Sequence, residues 1–258
     1  MVYEEKMNNK KELFIRVLSN YVFNEKLKQY LRQNYLKNYC LNSGERQTAK
    51  NLEGIRADHI ARYQLVVDFV NENNQKQRLN ILDIFCGNGY GSYLMASKLS
   101  DSKILSIDGS KEAVKFAKKY YNNKNIRFEQ KFFPFKLKQN QYDYAVSLES
   151  VEHVKDDIDF LKTIYKSLKK DGMLFLSTPN ENKQSLEVNA NHFHYRHYDT
   201  AKMIKTLEEL GFSLIKIYGQ DVYIINNLGK VTGLLKSSEM NLIENYNGQF
   251  CVYILRKI

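Results

Sequence analysis

Three short clusters hold the residue types that chemistry needs. Glu149, Glu152 and His153 fall within one short stretch, and His192, His194 and His197 crowd together further on. An imidazole titrates near ~6.5 and takes up a proton close to neutrality, so His153, His192 and His194 are candidate proton acceptors. Glu149, Glu152 and His153 also form a chemically competent ligand set for a divalent cation; the plainer role for the two carboxylates is to brace a pocket and cap the next helix. The third cluster is Gly87, Gly89 and Gly91 at alternate positions, preceded by Asp83. Residues without a Cβ let the backbone turn tightly and approach a ligand closely. Asp108 follows about 20 residues later, where an acid at the end of a second strand accepts hydrogen bonds from ribose hydroxyls. Together these two features point to an adenosine-type ligand.

The elements that must position these residues read as alternating strands and helices. Leu79, Ile81, Leu82, Ile84 and Phe85 make a nearly continuous apolar run, interrupted by Asp83, as expected of a strand covered on both faces. The glycines follow, and Ser92 to Leu99 suits a helix. A second strand, Ile104 to Ile107, ends at Asp108 and leads through Gly109 and Ser110 to a helix over Lys111 to Tyr121. Asn125 to Glu129 is a third strand, and Tyr142 to Leu148 a fourth that ends at Glu149. Asp156 and Asp157 cap a helix through Leu168; Lys169 to Gly172 is a loop before a fifth strand, Met173 to Thr178. Asp199 or Thr200 caps a helix to Leu210 that Gly211 ends. Phe212 to Tyr218 and Phe250 to Leu255 are the last strands, separated by an irregular insertion at about 220–247. Ligands of open α/β sheets bind outside the carboxyl ends of the strands, which puts Glu149, His153 and the later histidines beside the glycine turn.

Leu82-Asp-Ile-Phe-Cys-Gly-Asn-Gly-Tyr-Gly91 resembles motif I of class I S-adenosylmethionine-dependent methyltransferases. The resemblance implies a Rossmann-like α/β fold: a seven-stranded, mostly parallel sheet with helices on both faces and the last two strands antiparallel at its edge. It further implies that the glycine turn packs on the methionine part of S-adenosylmethionine, that Asp108 holds the ribose, and that Asp83 supports the loop and the amino group. Gly109 and Leu148, at the ends of the second and fourth strands, complete the expected contacts. The family's acid beyond the third strand is absent; Gln130-Lys-Phe-Phe-Pro134 stands there, so Gln130 and the ring of Phe132 or Phe133 are expected to meet the adenine.

Two further likenesses bear on the acceptor. Ser43-Gly-Glu-Arg46, followed by His59-Ile-Ala-Arg-Tyr63, is similar to the segment before motif I in bacterial methyltransferases of surface-glycan biosynthesis, which implies a contribution from Arg46, His59 or Arg62 to the ligand pocket. Glu149-x-x-Glu-His153, with Ser177-Thr-Pro-Asn180, resembles ubiquinone-biosynthesis O-methyltransferases, some of which are thought to bind a metal through that segment. For a positioned hydroxyl or ammonium, methyl transfer needs alignment and removal of one proton. His153 or His194 would supply that base, with Glu149 lining the same cavity.

The chain has 258 residues, enough for one well-buried domain and an added element. The expected division is a helical cap over 1–75, with amphipathic spacing at Leu13, Phe14, Val17 and Leu18, and a methyltransferase domain over 76–258. A net charge of +10 favours anionic partners. The expected substrate is a small phosphorylated or nucleotide-linked metabolite of capsule or lipopolysaccharide biosynthesis, methylated on oxygen or nitrogen; an RNA methyltransferase, a quinone-type O-methyltransferase and a non-catalytic cofactor binder are the alternatives. Cys40, Cys86 and Cys251 are odd in number and widely spaced, which argues against a disulfide framework and for a reduced, cytoplasmic chain without a resident metal. No apolar run approaches the length that crosses a bilayer.

Overall fold

The computed structural model describes residues 47–73 and 78–258. The expected cap helices and Arg46 lie outside the described residues. The chain divides after Gln47, and all that follows concerns the unit from Thr48 onward.

In chain order the elements are α1 (Ala57–Asn73), β1 (Leu79–Ile84), α2 (Tyr90–Lys98), β2 (Ser102–Asp108), α3 (Lys111–Tyr120), β3 (Ile126–Gln130), β4 (Tyr142–Leu148), α4 (Asp157–Ser167), β5 (Leu168–Pro179), α5 (Thr200–Glu209), β6 (Phe212–Gln220), β7 (Tyr223–Ile225), β8 (Val231–Leu234), β9 (Leu242–Glu244) and β10 (Phe250–Lys257). One sheet has the order β3-β2-β1-β4-β5-β10-β6-β9, and β7 and β8 form a separate hairpin. Strands β1 to β5 run parallel; β10 is antiparallel to both β5 and β6. Eight strands stand where seven were expected, because β9, from the insertion, pairs antiparallel with β6 at Tyr218↔Glu244 to Gln220↔Leu242. The insertion is therefore ordered into a hairpin and an edge strand rather than irregular, and β6 is not the edge.

Strand alternation sorts the core onto two faces. Ile81, Val146, Val252 and Ile254 face one layer with Val66, Val67 and Val70 of α1 and Met95 of α2. Leu82, Ile84, Ala145 and Tyr253 face the other, with Phe160, Leu161 and Ile164 of α4 and Met203 and Leu207 of α5. Each such aliphatic or aromatic side chain withdrawn from water contributes roughly 1.5–3 kcal/mol. This is why α1, which the sequence assigns to a cap ending at 75, packs as a sheet-covering helix of the second unit: its three valines are at most 1% exposed. Among the described residues no helix is long and apolar enough to cross a membrane.

The lysine-rich stretch read as a loop before the fifth strand also belongs to the sheet. Leu168 pairs with Tyr142, the register shifts before Tyr144↔Met173, and Asp171 carries the irregularity at φ 59°.

Candidate active site

The glycine turn joins β1 to α2 at the carboxyl edge of the sheet. Its left-handed positions are Phe85 (φ 58°), Gly87 (φ 57°) and Gly89 (φ 88°). The alternation expected at 87, 89 and 91 is thus displaced by two residues, with a phenylalanine bearing the first strained conformation; φ above zero in a bulky residue is uncommon. Gly91 is not in the turn at all. It lies in α2, and a Cβ there would stand 2.1 Å from the Tyr63 ring, so this glycine serves helix packing. Gly87 differs: a Cβ built on it meets nothing within 4 Å. The backbone at Gly87 therefore fronts open space, the cradle an approaching ligand requires.

Asp108 ends β2 beside that cradle. Its Oδ2 accepts the Gly87 N–H at 2.9 Å and its Oδ1 accepts the Ser110 N–H at 2.8 Å. A carboxylate offers about four lone-pair sites, and two of these contacts tie the end of β2 to the turn. Gln130 donates from Nε2 to the Gly109 carbonyl at 3.2 Å, and the Phe132 ring covers Gly109 while 71% exposed. Phe133 turns inward instead, edge-on to Phe160 at 5.4 Å. Of the two rings expected at the adenine, Phe132 is the one that borders the cradle. Leu148 is buried at the end of β4.

Asp83 points away from this rim into the layer beneath α1 and α2. Its Oδ1 accepts from the Tyr63 hydroxyl at 3.2 Å and its Oδ2 from the Ser92 hydroxyl, which in turn accepts from Ser106 at 2.8 Å. Burial pushes its pKa from 3.8 up to about 7, against the hydrogen bonds from Ser92 and Tyr63. The folded chain thus keeps a proton on Asp83 up to about pH 7, while the unfolded chain loses it near 3.8. Stability from this group is greatest below the lower value and declines as pH rises between the two. Denaturant unfolding of the wild type and Asp83→Asn across that interval should show the wild type losing ground to the variant as pH rises. Parallel curves would remove Asp83 as the titrating group.

The start of α1 carries a compact charged cluster. Arg62 is 1% exposed; its Nε donates to Gln220 Oε1 at 2.7 Å, its Nη2 meets Asp58 Oδ2 at 3.4 Å, and its Nη1 lies 3.7 Å from Glu149 Oε1. The guanidinium also sits 4.6 Å from the centroid of the Phe250 ring. Arg56 donates to Asp58 Oδ2 at 2.8 Å. His59 joins Tyr90 through Nδ1 at 3.0 Å and Arg56 through Nε2 at 3.3 Å. Burial drives His59 down to about 3 despite the attraction of Asp58, so this ring is neutral. Asp58 and Gln220 had no signal in the sequence, because their importance lies in pairing with Arg62 across the fold.

Glu149 follows β4 in a left-handed conformation at φ 50°, a cost of order 1–3 kcal/mol that surrounding structure must hold. Ser177 on β5 does so: its hydroxyl accepts the Glu149 N–H at 2.9 Å and donates to Oε1 at 2.7 Å. Burial raises the Glu149 pKa while Arg62 and Ser177 oppose the shift.

Beyond Glu149, a short 3-10 turn, Val151–His153, brings Glu152 and His153 against the segment after β5. His153 Nδ1 meets the Phe193 carbonyl at 3.1 Å. A carbonyl only accepts, so Nδ1 carries a proton, and in the neutral imidazole the lone pair is then on Nε2. The His153 and His194 rings meet edge-on with centroids 4.7 Å apart. The ligand atoms that lie within 4.8 Å of one another belong to Glu152, His153 and His194, which corrects the sequence-based trio: His194 takes the place of Glu149. Both nitrogens of His194 are already hydrogen-bonded, to His197 and Asn191. His192 is exposed.

This geometry is that of an α/β fold with a glycine turn and an acid side by side at the carboxyl edge of its parallel strands. The model of the methyltransferase domain family matches residues 75–239, and the chain belongs to that family. It is 30% identical over 207 residues to the ubiquinone biosynthesis O-methyltransferase of Pelagibacter ubique, spanning 74% of this chain and 85% of that one. A malonyl-[acyl-carrier protein] O-methyltransferase of Acetivibrio thermocellus is 30% identical over 105 residues, 41% of this chain and 37% of its relative. An S-adenosylmethionine-dependent methyltransferase structure from Mesorhizobium loti shares the fold at a TM-score of 0.58 and 15% identity, covering 78% of this chain and all of that one. The protein is an S-adenosylmethionine-dependent methyltransferase.

Replacing Asp108 with Ala removes the acceptor for two backbone amides as well as the acid expected to meet the ribose. Hydrogen bonds to charged groups contribute about 1.5–3 kcal/mol each, so titration calorimetry with S-adenosylhomocysteine should show affinity reduced by at least tenfold. Undiminished binding would take Asp108 out of the cofactor site.

Proposed function

We propose that the chain methylates a hydroxyl oxygen of a small organic acceptor and that His153 removes the acceptor's proton. The observation that carries this is the His153 imidazole: it follows β4 at the carboxyl edge of the sheet, and its Nδ1–H is tied to the Phe193 carbonyl, which in the neutral ring puts the lone pair on Nε2. The similarity to an O-methyltransferase over 74% of the chain supports oxygen as the acceptor atom. Bound S-adenosylmethionine supplies an electrophilic methyl group. The residues of this chain align the two reactants: the Gly87 backbone and Asp108 hold one side, and Glu149, His153 and His194 line the other. Proton removal by a positioned base contributes roughly 10² to 10⁴ in rate.

The net charge of +10 supports an anionic acceptor such as a phosphorylated or nucleotide-linked metabolite of surface-polysaccharide synthesis. The guanidinium groups of Arg56 and Arg62 do not add to that support, since Asp58 and Gln220 engage them within the protein. An anionic group would be met by lysines outside this cluster. The buried Cys251 thiol fits a reducing cytoplasmic setting.

Methyl transfer to a panel of phenols, catechols, sugar nucleotides and transfer RNA, read by mass spectrometry, tests this reading. Methylation of a hydroxyl in the small-molecule set is expected. Modification confined to amines or to RNA would sink it.

A further inference from the structure

The histidines after β5 form a hydrogen-bonded series whose direction is fixed from both ends. At one end Asn191 Oδ1 accepts the Phe193 N–H at 3.0 Å, which turns the amide nitrogen of Asn191 toward His194 Nε2, 3.0 Å away. An amide nitrogen only donates, so His194 Nε2 is the acceptor and its proton sits on Nδ1. At the other end His197 Nδ1 lies 2.6 Å from the Gln184 carbonyl and 3.7 Å from Glu181 Oε2. Both neighbours call for a proton on Nδ1, which leaves Nε2 of His197 as an acceptor. The link between the rings, His194 Nδ1 to His197 Nε2 at 2.7 Å, is thereby a donor meeting an acceptor. The two ends independently give the same polarity.

We propose that His197 is a positioning residue for His194, holding it as the neutral tautomer with its lone pair on Nε2 and its ring edge-on to His153. His197 is 9% exposed and stands apart from the Glu152, His153 and His194 group, so its effect reaches the reaction through His194. Because its Nε2 accepts from the Asn191 amide, the His194 ring is neutral by its contacts alone. A protonated His194 beside a protonated His153 would repel it. The inference rests on the proposed role of His153 for its effect on rate; the tautomer assignment does not.

Long-range proton–nitrogen NMR correlations on the labelled protein should show His194 protonated at Nδ1 and bare at Nε2. In His197→Ala the His194 signals should move toward a mixture of tautomers, and kcat should fall roughly 3- to 10-fold, the value of one hydrogen bond, with KM for the cofactor unchanged. His197→Gln keeps a donor for Gln184 and an acceptor for His194, so it should restore both the tautomer and most of kcat. A proton on His194 Nε2 in the wild type, or unmoved His194 signals in His197→Ala, would overturn the proposal whatever the activity. Should His197→Ala fail to fold, the wild-type spectrum and His197→Gln still decide. The expected tautomer in a protein that methylates no hydroxyl acceptor would uphold the assignment and remove the proposed function instead.

Discussion

Replacing His153 with Ala should lower kcat by roughly 10² to 10⁴, the usual contribution of a general base, while the affinity for S-adenosylhomocysteine stays within about twofold. The split follows from geometry: His153 is held by the Phe193 carbonyl in the segment after β5, whereas the cradle at Gly87 and Asp108 is built by β1 and β2. Loss of the imidazole leaves that cradle untouched. His194→Ala should cost less, because both its nitrogens are engaged by Asn191 and His197 and its proposed part is to back His153. The double variant should resemble His153→Ala within about threefold, since residues acting as one unit are not additive. Single-turnover measurements separate chemistry from product release. Full activity in both single variants and in the double would leave alignment alone to account for the rate.

The parts of this site that the sequence displays are those encoded locally. β1, the turn and β2 are legible because strands covered on both faces must be continuously apolar, so Asp83 and Asp108 stand out as interruptions with a purpose. Gly91 looked like a turn glycine because spacing is visible and packing is not; what requires it is the Tyr63 ring, 28 positions earlier in the chain. The strands of the insertion escaped notice for a related reason. β7 and β9 have three residues each, too few for a period-2 pattern to declare itself. β9 exists because β6 offers it a pairing edge. The candidate metal trio was misassigned in the same way: Glu149, Glu152 and His153 are neighbours in sequence, but Ser177 and Arg62 draw the Glu149 side chain elsewhere, and the fold brings in His194 instead. His197 carried no sequence signal of the role proposed for it, because its contacts are with the Gln184 carbonyl and the ring of His194.

Arg62→Met should be among the most destabilising single substitutions in the unit. The side chain is 1% exposed and its charge faces two carboxylates, Asp58 and Glu149. Removing one member of a buried ion pair leaves the other uncompensated, at a cost of about 3–5 kcal/mol. Asp58 retains Arg56, so the larger share falls on Glu149, which burial already pushes toward its neutral form. Gln220 loses the donor to its Oε1 while its Nε2 still donates to the Met240 carbonyl at 2.8 Å; the link between α1 and the insertion is loosened but not severed. Met keeps the apolar stem against Phe250, so lost packing is a minor part of the effect. For a unit of this size about 2–4 °C accompanies each kcal/mol, and calorimetry should place the midpoint roughly 10 °C lower. Adding Glu149→Gln to Arg62→Met removes the stranded charge and should recover about 0.5–3 kcal/mol, the range of coupling between contacting residues. A double variant no more stable than Arg62→Met would show that Glu149 bears none of the cost, and would place it instead in the hydrogen bonds of Asp58 and Gln220.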